Sequence, residues 1–184
     1  AQRVIKEQTD ADPERAGNRG HHRYSFGNQS HHPEWAMLMD LATVLPVVEA
    51  IWGSADFTCT GAGGDYSLPK AERQALHADM GDFFKDPLGQ VDFRAVPAPF
   101  IVINYMMVDF TVQNGAIRFI PCTQRSRAPI PSLADEPEWM QNNHLCAPAG
   151  TAVVCDVRCW HGGTPNLSDT IRPMTSAGYF APWY

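Results

Sequence analysis

The first patterned segment of the chain is an amphipathic stretch that begins near Pro33. Apolar residues recur there at helical spacing, at Trp35, Leu38, Met39, Ala42 and Leu45. A proline suits the first turn of a helix, and the acidic Glu34 beside it meets the positive end of the helix dipole. The pattern therefore predicts a helix from Pro33 that is bent or restarted at Pro46, where the proline ring interrupts helical hydrogen bonding.

After Gly53 the pattern changes to short runs of β-forming residues separated by glycine, proline, asparagine and aspartate. The runs cover Phe57–Thr60, Phe100–Phe110, Ile117–Ile120, Thr151–Trp160 and Met174–Phe180. Several short strands with turn residues between them are typical of an all-β sandwich or barrel. Together with the preceding helix, this order predicts a mainly-β jelly roll with α-helices packed outside it.

The first 30 residues follow neither pattern. They are polar and rich in charge and glycine, with a basic and aromatic cluster at His21–Tyr24. We therefore expect a loose polar arm or lid over residues 1–30, followed by a single domain with an N-terminal helix over residues 31–184. A chain of 184 residues has the usual size of one domain.

Composition and charge exclude several classes of protein. The net charge is −6 and the pI about 5.6, and the basic residues are scattered, so nucleic-acid binding is not expected. No apolar run reaches the roughly 18 residues needed to cross a bilayer. Residues 1–28 lack the apolar centre of a secretory signal, and the five cysteines form no CxxC pair. We therefore expect a cytoplasmic protein without a disulfide framework.

Metal-binding residue types stand at two places in the β-rich part of the chain. His77 and Asp79 are two positions apart, and side chains at i and i+2 of a strand leave the same face. The best third ligand is His161, which ends a β-rich run and precedes two glycines that let a small ligand approach closely. Two histidines and one carboxylate on one side of a divalent metal form the facial triad of non-haem iron(II) oxygenases.

Arg172 is the candidate anchor for a keto-acid co-substrate. A 2-oxoglutarate that chelates the metal through its keto-acid end leaves a distal carboxylate to be neutralised, and a guanidinium binds carboxylates in a bidentate manner. Arg172 follows His161 by eleven positions, across the turn at Thr164–Asn166. That spacing fits a residue on the next strand that points into the same barrel.

These residues belong to an ordered pattern, over about Phe57 to Tyr179, that resembles the phytanoyl-CoA dioxygenase family of iron(II)/2-oxoglutarate oxygenases. The pattern consists of Gln74-x-x-His77-x-Asp79, then Asn114-Gly115 and Pro121, then Asp156-x-Arg158-x-x-His161-Gly162-Gly163-x-x-Asn166, and finally Arg172. The resemblance implies a cupin-like double-stranded β-helix in which His77, Asp79 and His161 bind Fe(II) and Arg172 binds 2-oxoglutarate. It also implies that Gln74 and Asn104 contact the co-substrate.

The reaction implied by the resemblance is O₂-dependent decarboxylation of 2-oxoglutarate to succinate and CO₂, coupled to hydroxylation of a small organic substrate. Halogenating relatives replace the metal-binding carboxylate with alanine or glycine, so the presence of Asp79 favours hydroxylation. Three features depart from the family pattern. Family members usually have more chain before the barrel, a loop that commonly contains Pro-Gly-Ser/Thr-His is Pro121–Gln124 here, and Gly163 stands where a hydroxyl residue is common.

Other interpretations of the same residues stay open at the level of sequence. A zinc site could use Cys155, Cys159 and His161 with His144, although ligands spread along one strand suit tetrahedral geometry poorly and buried cysteines are favoured. His77 and Asp79 alone also fit a hydrogen-bonded surface pair.

Two alternative functions follow from these interpretations. One is a cupin-like metal enzyme that does not use 2-oxoglutarate, which gives Arg172 no role. The other is a barrel that binds a ligand without turnover, which would be expected if a metal ligand were replaced.

Overall fold

The computed structural model describes residues 1–184 as a mainly antiparallel β fold with few helices, as the sequence predicts. The strands are β1 (Arg23–Ser25), β2 (Thr58–Ser67), β3 (Phe100–Met106), β4 (Arg118–Phe119), β5 (Ala152–Asp156), β6 (His161–Gly162) and β7 (Arg172–Phe180). The α-helices are α1 (Gln2–Asp10), α2 (Pro33–Ala36), α3 (Leu45–Trp52) and α4 (Glu138–Gln141). None of them combines the length and the apolar character that crossing a lipid bilayer requires.

Five strands form one antiparallel sheet in the order β1-β2-β7-β3-β5, and β4 pairs with β6 in a second sheet of two strands. The central strand β7 pairs along its whole length with β2 on one side and, from Met174 onward, with β3 on the other. The small sheet is joined to residue 77 by an isolated bridge between His77 and His161. This bridge ties the segment that carries His77 to the small sheet.

The two faces of the large sheet have different roles, because side chains alternate along each strand. On β3, Ile101, Ile103 and Tyr105 are buried in an apolar cluster that includes Val48 of helix α3. Val102 and Asn104, which alternate with them, line a cavity on the other face. The helix side of the sheet thus forms the core, and the opposite side forms the wall of a polar site.

The predicted helix from Pro33 is interrupted and restarted. Helix α2 begins at Pro33 and passes into a 3₁₀ turn at Met37–Met39, after which Asp40 leaves helical geometry. Helix α3 restarts at Leu45 with Pro46 in its first turn and ends at Gly53, which has a left-handed φ of 66°. Proline at the start and glycine at the end are the usual boundaries of a short helix.

Strand β2 is much longer than the predicted run Phe57–Thr60, since it continues to Ser67 through three glycines. Gly64 explains why glycine is needed there: its φ is +121°, and a Cβ at this position would overlap the backbone oxygen of Met174 on β7. The strand also shifts register between Cys59 and Gly61. Close approach of the two backbones, rather than a turn, accounts for this glycine-rich segment.

Residues 1–30 are packed into the fold, and the expectation of a loose arm is wrong for this region. Helix α1 buries Val4 and Ile5 in a cluster with Tyr24, Phe26 and Trp35. Strand β1 forms the edge of the large sheet by pairing with β2. The polar composition misled the prediction because α1 presents only one narrow apolar face to the core, while its other residues remain in solvent.

Candidate active site

The three predicted metal ligands lie together, because backbone hydrogen bonds join the segments that carry them. His77 and His161 face each other across a backbone bridge, in which His77 N donates to His161 O at 3.0 Å and His161 N donates to His77 O at 2.9 Å. Asp79 N donates to Val157 O at 2.9 Å, which fixes the carboxylate beside the same segment. Residues 77–79 thus form an extended segment with a single bridge residue rather than the short strand that the sequence predicts.

The side chains of this group have the separations of a metal site. Asp79 Oδ1 lies 3.7 Å from His77 Nε2, and Asp79 Oδ2 lies 3.4 Å from His161 Nε2. The three ligand atoms all lie within 4.8 Å of one another, close enough for one divalent ion to contact all three. The side chains of His77 and Asp79 are 42% and 44% exposed and that of His161 is 11% exposed, so one side of the group stays open.

Hydrogen bonds to the other ring nitrogens orient both imidazoles. His77 Nδ1 lies 3.2 Å from Ala75 O, and His161 Nδ1 lies 2.9 Å from Cys159 O. A carbonyl accepts only from a protonated ring nitrogen, so these contacts place the proton on Nδ1 and leave the Nε2 lone pair for a metal. The ring of Phe119 stacks on His161 with centroids 5.5 Å apart and holds it from the apolar side.

The electrostatics of the group favour an ionised carboxylate. Burial alone would raise the pKa of Asp79, but the hydrogen bond and charge of His161, with the charge of His77, outweigh it and lower that pKa. Burial would lower the pKa of His161, yet Asp79 outweighs it and raises that pKa. Burial and the neighbouring His161 lower the pKa of His77. The Asp79 carboxylate is therefore already ionised for binding a cation, whereas protonated His161 must lose a proton before it can bind a metal.

These ligands stand at one side of a cavity of about 210 Å³. Its walls are built by residues from the inner face of the large sheet, from the small sheet and from the segment that carries His77. They include Val102, Asn104, Phe119, Asp65, Met174 and Ser176. The other predicted site residues, Arg172, Gln74 and Asn104, all line this same cavity.

Arg172, the first residue of β7, is buried in the cavity wall without a full set of protein partners. It is 2% exposed, and no protein atom accepts a hydrogen bond from its Nε or Nη1. Its nearest acid is Asp65, whose Oδ1 is 3.8 Å from Nη1, and its guanidinium lies 4.8 Å from the centroid of Phe110. Burial lowers the pKa of Arg172, although Asp65 opposes this. A buried, under-satisfied guanidinium fits the carboxylate of a keto-acid ligand.

Gln74 and Asn104 differ in how free their amides are. Gln74 is held by the backbone, since its Oε1 accepts from Gly163 N at 3.0 Å and its Nε2 donates to Arg19 O at 3.2 Å. Asn104 on β3 makes no side-chain hydrogen bond within the protein, although it is 8% exposed. Its amide is therefore the freer of the two to contact a ligand.

Sequence reasoning did not identify Arg23 as part of this cavity. Its guanidinium is buried and donates to the carbonyls of Glu72 and Thr164, which lie 49 and 141 positions away. Burial and the charge of Arg172 lower the pKa of Arg23 to about 10. Its only sequence signal was the basic cluster at His21–Tyr24, in a region interpreted as a surface arm.

The alternative zinc set is not assembled in the structure. The group of ligand atoms that could share an ion comprises His77, Asp79 and His161. Cys155 lines the cavity, whereas His144 lies elsewhere and its Nδ1 contacts Asn142 O at 2.9 Å.

The sequence profile of one protein family, described as phytanoyl-CoA dioxygenase (PhyH), matches residues 2–174. The chain belongs to the phytanoyl-CoA dioxygenase family. This assignment confirms the resemblance found in the sequence, and with it the prediction that the cofactors are Fe(II) and 2-oxoglutarate. The match begins at residue 2, so the phytanoyl-CoA dioxygenase region includes helix α1 and strand β1.

Solved structures with the same fold come from proteins of low sequence identity. HygX from Streptomyces hygroscopicus, solved with nickel, 2-oxoglutarate and hygromycin B, has a TM-score of 0.68 at 13% identity, over 100% of this chain and 80% of its own. EctD from S. alaskensis, solved with 2-oxoglutarate and 5-hydroxyectoine, has a TM-score of 0.64 at 17% identity, over 98% and 66%. EvdMO1 has a TM-score of 0.58 at 20% identity, over 86% of this chain but only 36% of its own. The phytanoyl-CoA dioxygenase chain described here therefore spans about a third of EvdMO1 and most of HygX.

Proposed function

We propose that this protein is an Fe(II)/2-oxoglutarate-dependent dioxygenase that hydroxylates a small organic substrate, with O₂ as oxidant and succinate and CO₂ as products. We further propose that its strands form the double-stranded β-helix, or jelly roll, of such enzymes. One observation carries the proposal: a two-histidine, one-carboxylate group and a buried guanidinium without full protein partners face the same cavity. The first suits the metal and the second suits the far end of the keto acid.

Each residue in this site has a role that follows from its surroundings. His77, Asp79 and His161 would hold Fe(II), with the two Nδ1 hydrogen bonds fixing which nitrogen each ring presents. Arg172 would bind the distal carboxylate, and Asn104 would donate or accept a hydrogen bond beside it. When bound, Fe(II) and 2-oxoglutarate supply the oxidative chemistry, in which decarboxylation of the keto acid activates O₂.

The apolar wall residues would limit the access of water to the metal centre and leave room for the substrate. Val102, Ile117 and Phe119 form an apolar part of the cavity wall, and the ring of Phe119 stacks on His161. Excluding water from a reactive metal centre prevents unproductive reaction of the oxidant. The presence of Asp79 supports hydroxylation over halogenation, because a carboxylate ligand occupies the position where a halide would bind.

Two measurements on the purified protein test this proposal. Anaerobic addition of Fe(II) and then 2-oxoglutarate should produce a weak visible charge-transfer band, as expected when the keto acid chelates the metal. Aerobic incubation with a panel of small organic substrates should then form succinate together with a product that gains one oxygen atom, while Asp79→Ala should form neither. Metal binding without the band would favour a cupin-like enzyme that does not use 2-oxoglutarate, and succinate-coupled turnover by Asp79→Ala would exclude the assigned ligand set.

A further inference from the structure

Arg23 and Arg172 lie in one row across three neighbouring strands. In the register of the sheet, Arg23 of β1 pairs with Ser67 of β2, and Ser67 pairs with Arg172 of β7. Residues directly opposite each other in antiparallel strands project from the same face of the sheet. Adjacent strands are about 5 Å apart, so the two arginines start from backbones separated by one strand and both line the cavity.

The row contains more buried hydrogen-bonding groups than the protein itself satisfies. Arg23 uses Nε and Nη2 to donate to Glu72 O, at 3.1 and 2.6 Å, and Nη2 also donates to Thr164 O at 2.6 Å. No protein atom accepts a hydrogen bond from its Nη1. The hydroxyl of Ser67 is buried without a partner, as are Nε and Nη1 of Arg172. Buried polar groups without protein partners are rare in folded proteins, and a bound ligand, ion or water satisfies them.

The space that the Arg23 guanidinium occupies depends on Gly163. A Cβ at residue 163 would overlap Arg23 Nη1 and would also lie 2.8 Å from Gln74 Oε1. Gly163 is two residues after the metal ligand His161, so its missing side chain brings the guanidinium close to the metal-binding segment. The glycine is therefore explained by Arg23 rather than by backbone conformation, since its φ is not in the left-handed region.

The charges at this end of the cavity call for an anion. Two buried guanidinium groups are near each other, and the acid close to both is Asp65, whose side chain is 42% exposed. A partly exposed carboxylate 3.8 Å from one guanidinium offsets only part of two buried positive charges. A carboxylate ligand would supply the second negative charge and accept from the unpaired N–H groups.

We propose that Arg23 is a second binding residue for the distal carboxylate of 2-oxoglutarate, acting together with Arg172. This inference rests on the proposed function and specifies how the same site recognises its co-substrate. Arg23 would make the site selective for a dicarboxylic keto acid over a monocarboxylic one. Because its other nitrogens bind the carbonyls of Glu72 and Thr164, it would also tie the carboxylate to the segment that carries His77.

The experiment compares two keto acids that differ only at the distal end. 2-Oxoglutarate and 2-oxopentanoate have the same length and the same metal-chelating end, but the second has a methyl group in place of the distal carboxylate. Dissociation constants of both are measured anaerobically on the Fe(II)-loaded protein, by optical titration of the charge-transfer band and by calorimetry. Arg23→Gln should raise the Kd of 2-oxoglutarate by about 10- to 100-fold, the loss of one charge-assisted hydrogen bond, and leave that of 2-oxopentanoate within about threefold.

Arg158→Gln is the matched control. Arg158 is also a buried arginine whose Nη1 donates to two backbone carbonyls, those of Phe93 and Val96 at 2.9 and 3.2 Å, but it lies outside the cavity. Its replacement should affect stability without changing the ratio of the two dissociation constants. If Arg23→Gln does not fold by circular dichroism, Arg23→Lys and Gly163→Ala provide the test, since the second displaces the guanidinium without removing it.

The outcomes separate the two proposals. Equal losses for both keto acids in the Arg23 variants, or no loss for either, would overturn the role of Arg23 while leaving the proposed function intact. Failure of the wild-type protein to bind 2-oxoglutarate in the presence of Fe(II) would overturn both. A selective loss for 2-oxoglutarate in Arg23→Gln, absent in Arg158→Gln, is the expected result.

Discussion

Two buried arginines of this protein should respond to the same substitution with opposite changes in stability. Arg118 is fully buried, and both of its terminal nitrogens are paired: it forms an ion pair with Glu136, with Nη2 3.0 Å from Oε1, and donates to Gln74 O at 2.6 Å, while only its Nε has no acceptor. Arg172 is almost as buried, but its Nε and Nη1 have no protein acceptor. Methionine replaces the long side chain of each with an apolar one of similar length.

The size of each effect follows from these contacts. Breaking a buried ion pair leaves Glu136 buried and uncompensated, so Arg118→Met should lower the free energy of unfolding by about 3–5 kcal/mol. Each unpaired buried N–H of Arg172 costs about 1–3 kcal/mol. The cation–π contact with Phe110 returns about 0.5–2 kcal/mol, and the pair with the partly exposed Asp65 returns at most about 1 kcal/mol. With two such N–H groups and mid-range values for each contribution, Arg172→Met should therefore raise the free energy of unfolding by about 2 kcal/mol.

Urea denaturation of the metal-free, ligand-free protein, followed by circular dichroism, measures both changes. At this chain length 1 kcal/mol corresponds to about 2–4 °C in Tm, so a thermal scan should show the same opposite signs. Addition of Fe(II) and 2-oxoglutarate at about 100 times Kd should stabilise the wild type by about 2.7 kcal/mol, and Arg172→Met by much less. If Arg172→Met were as destabilising as Arg118→Met, Arg172 would be a structural residue, and the reasoning that assigns it to a ligand would be refuted.

Three further predictions follow from the structure. Asp79→Ala should lower the affinity for Fe(II) by at least about 100-fold, as measured by anaerobic titration, and unchanged affinity would remove Asp79 from the ligand set. Because Asp79 raises the pKa of His161, protons should compete with the metal, so that the affinity for Mn(II) rises with pH from about 6 to 8. In the metal-free protein, the stabilisation by protonated His161 should be present below about pH 6.5 and should be lost as pH rises through the raised pKa. A metal affinity independent of pH would contradict this assignment of charge. Gly64→Ala should destabilise the protein by about 3 kcal/mol or more, because a Cβ there overlaps the β7 backbone. Gly53→Ala, which has open space around it, should cost only about 1 kcal/mol for its positive φ. Equal costs in urea denaturation would show that the close packing of β2 on β7 is not what requires glycine.

The candidate site could be predicted from the sequence where its chemistry needs particular residue types. A metal ligand is usually a histidine, an acid or a cysteine, so residue type and order along the chain predicted the group that His77, Asp79 and His161 form in the structure. The strand boundaries were less accessible. Strand β2 contains three glycines, which propensity assigns to a turn, and only the approach of the Met174 backbone explains Gly64.

Arg23 shows where local reasoning fails. Its surroundings are created by residues 49 and 141 positions away, and no periodicity within residues 1–30 could reveal them. The same holds for helix α1, whose Val4 and Ile5 find their partners only when Tyr24, Phe26 and Trp35 are assembled around them. Tertiary contacts thus make the N-terminal region part of the folded core, although its polar composition predicts a loose arm.

The bridge between His77 and His161 has a consequence for how such a protein can diversify. The spacing of the two imidazole-bearing segments is set by backbone N–H and carbonyl groups, which every amino acid except proline possesses, and not by the packing of particular side chains. Replacement of Val102, Ile117 or Ser176 would thus reshape the chamber while the separation of the two histidine backbones stays constant. Under the proposed function, new substrate preferences would accumulate by point mutation while the proposed metal site keeps its geometry.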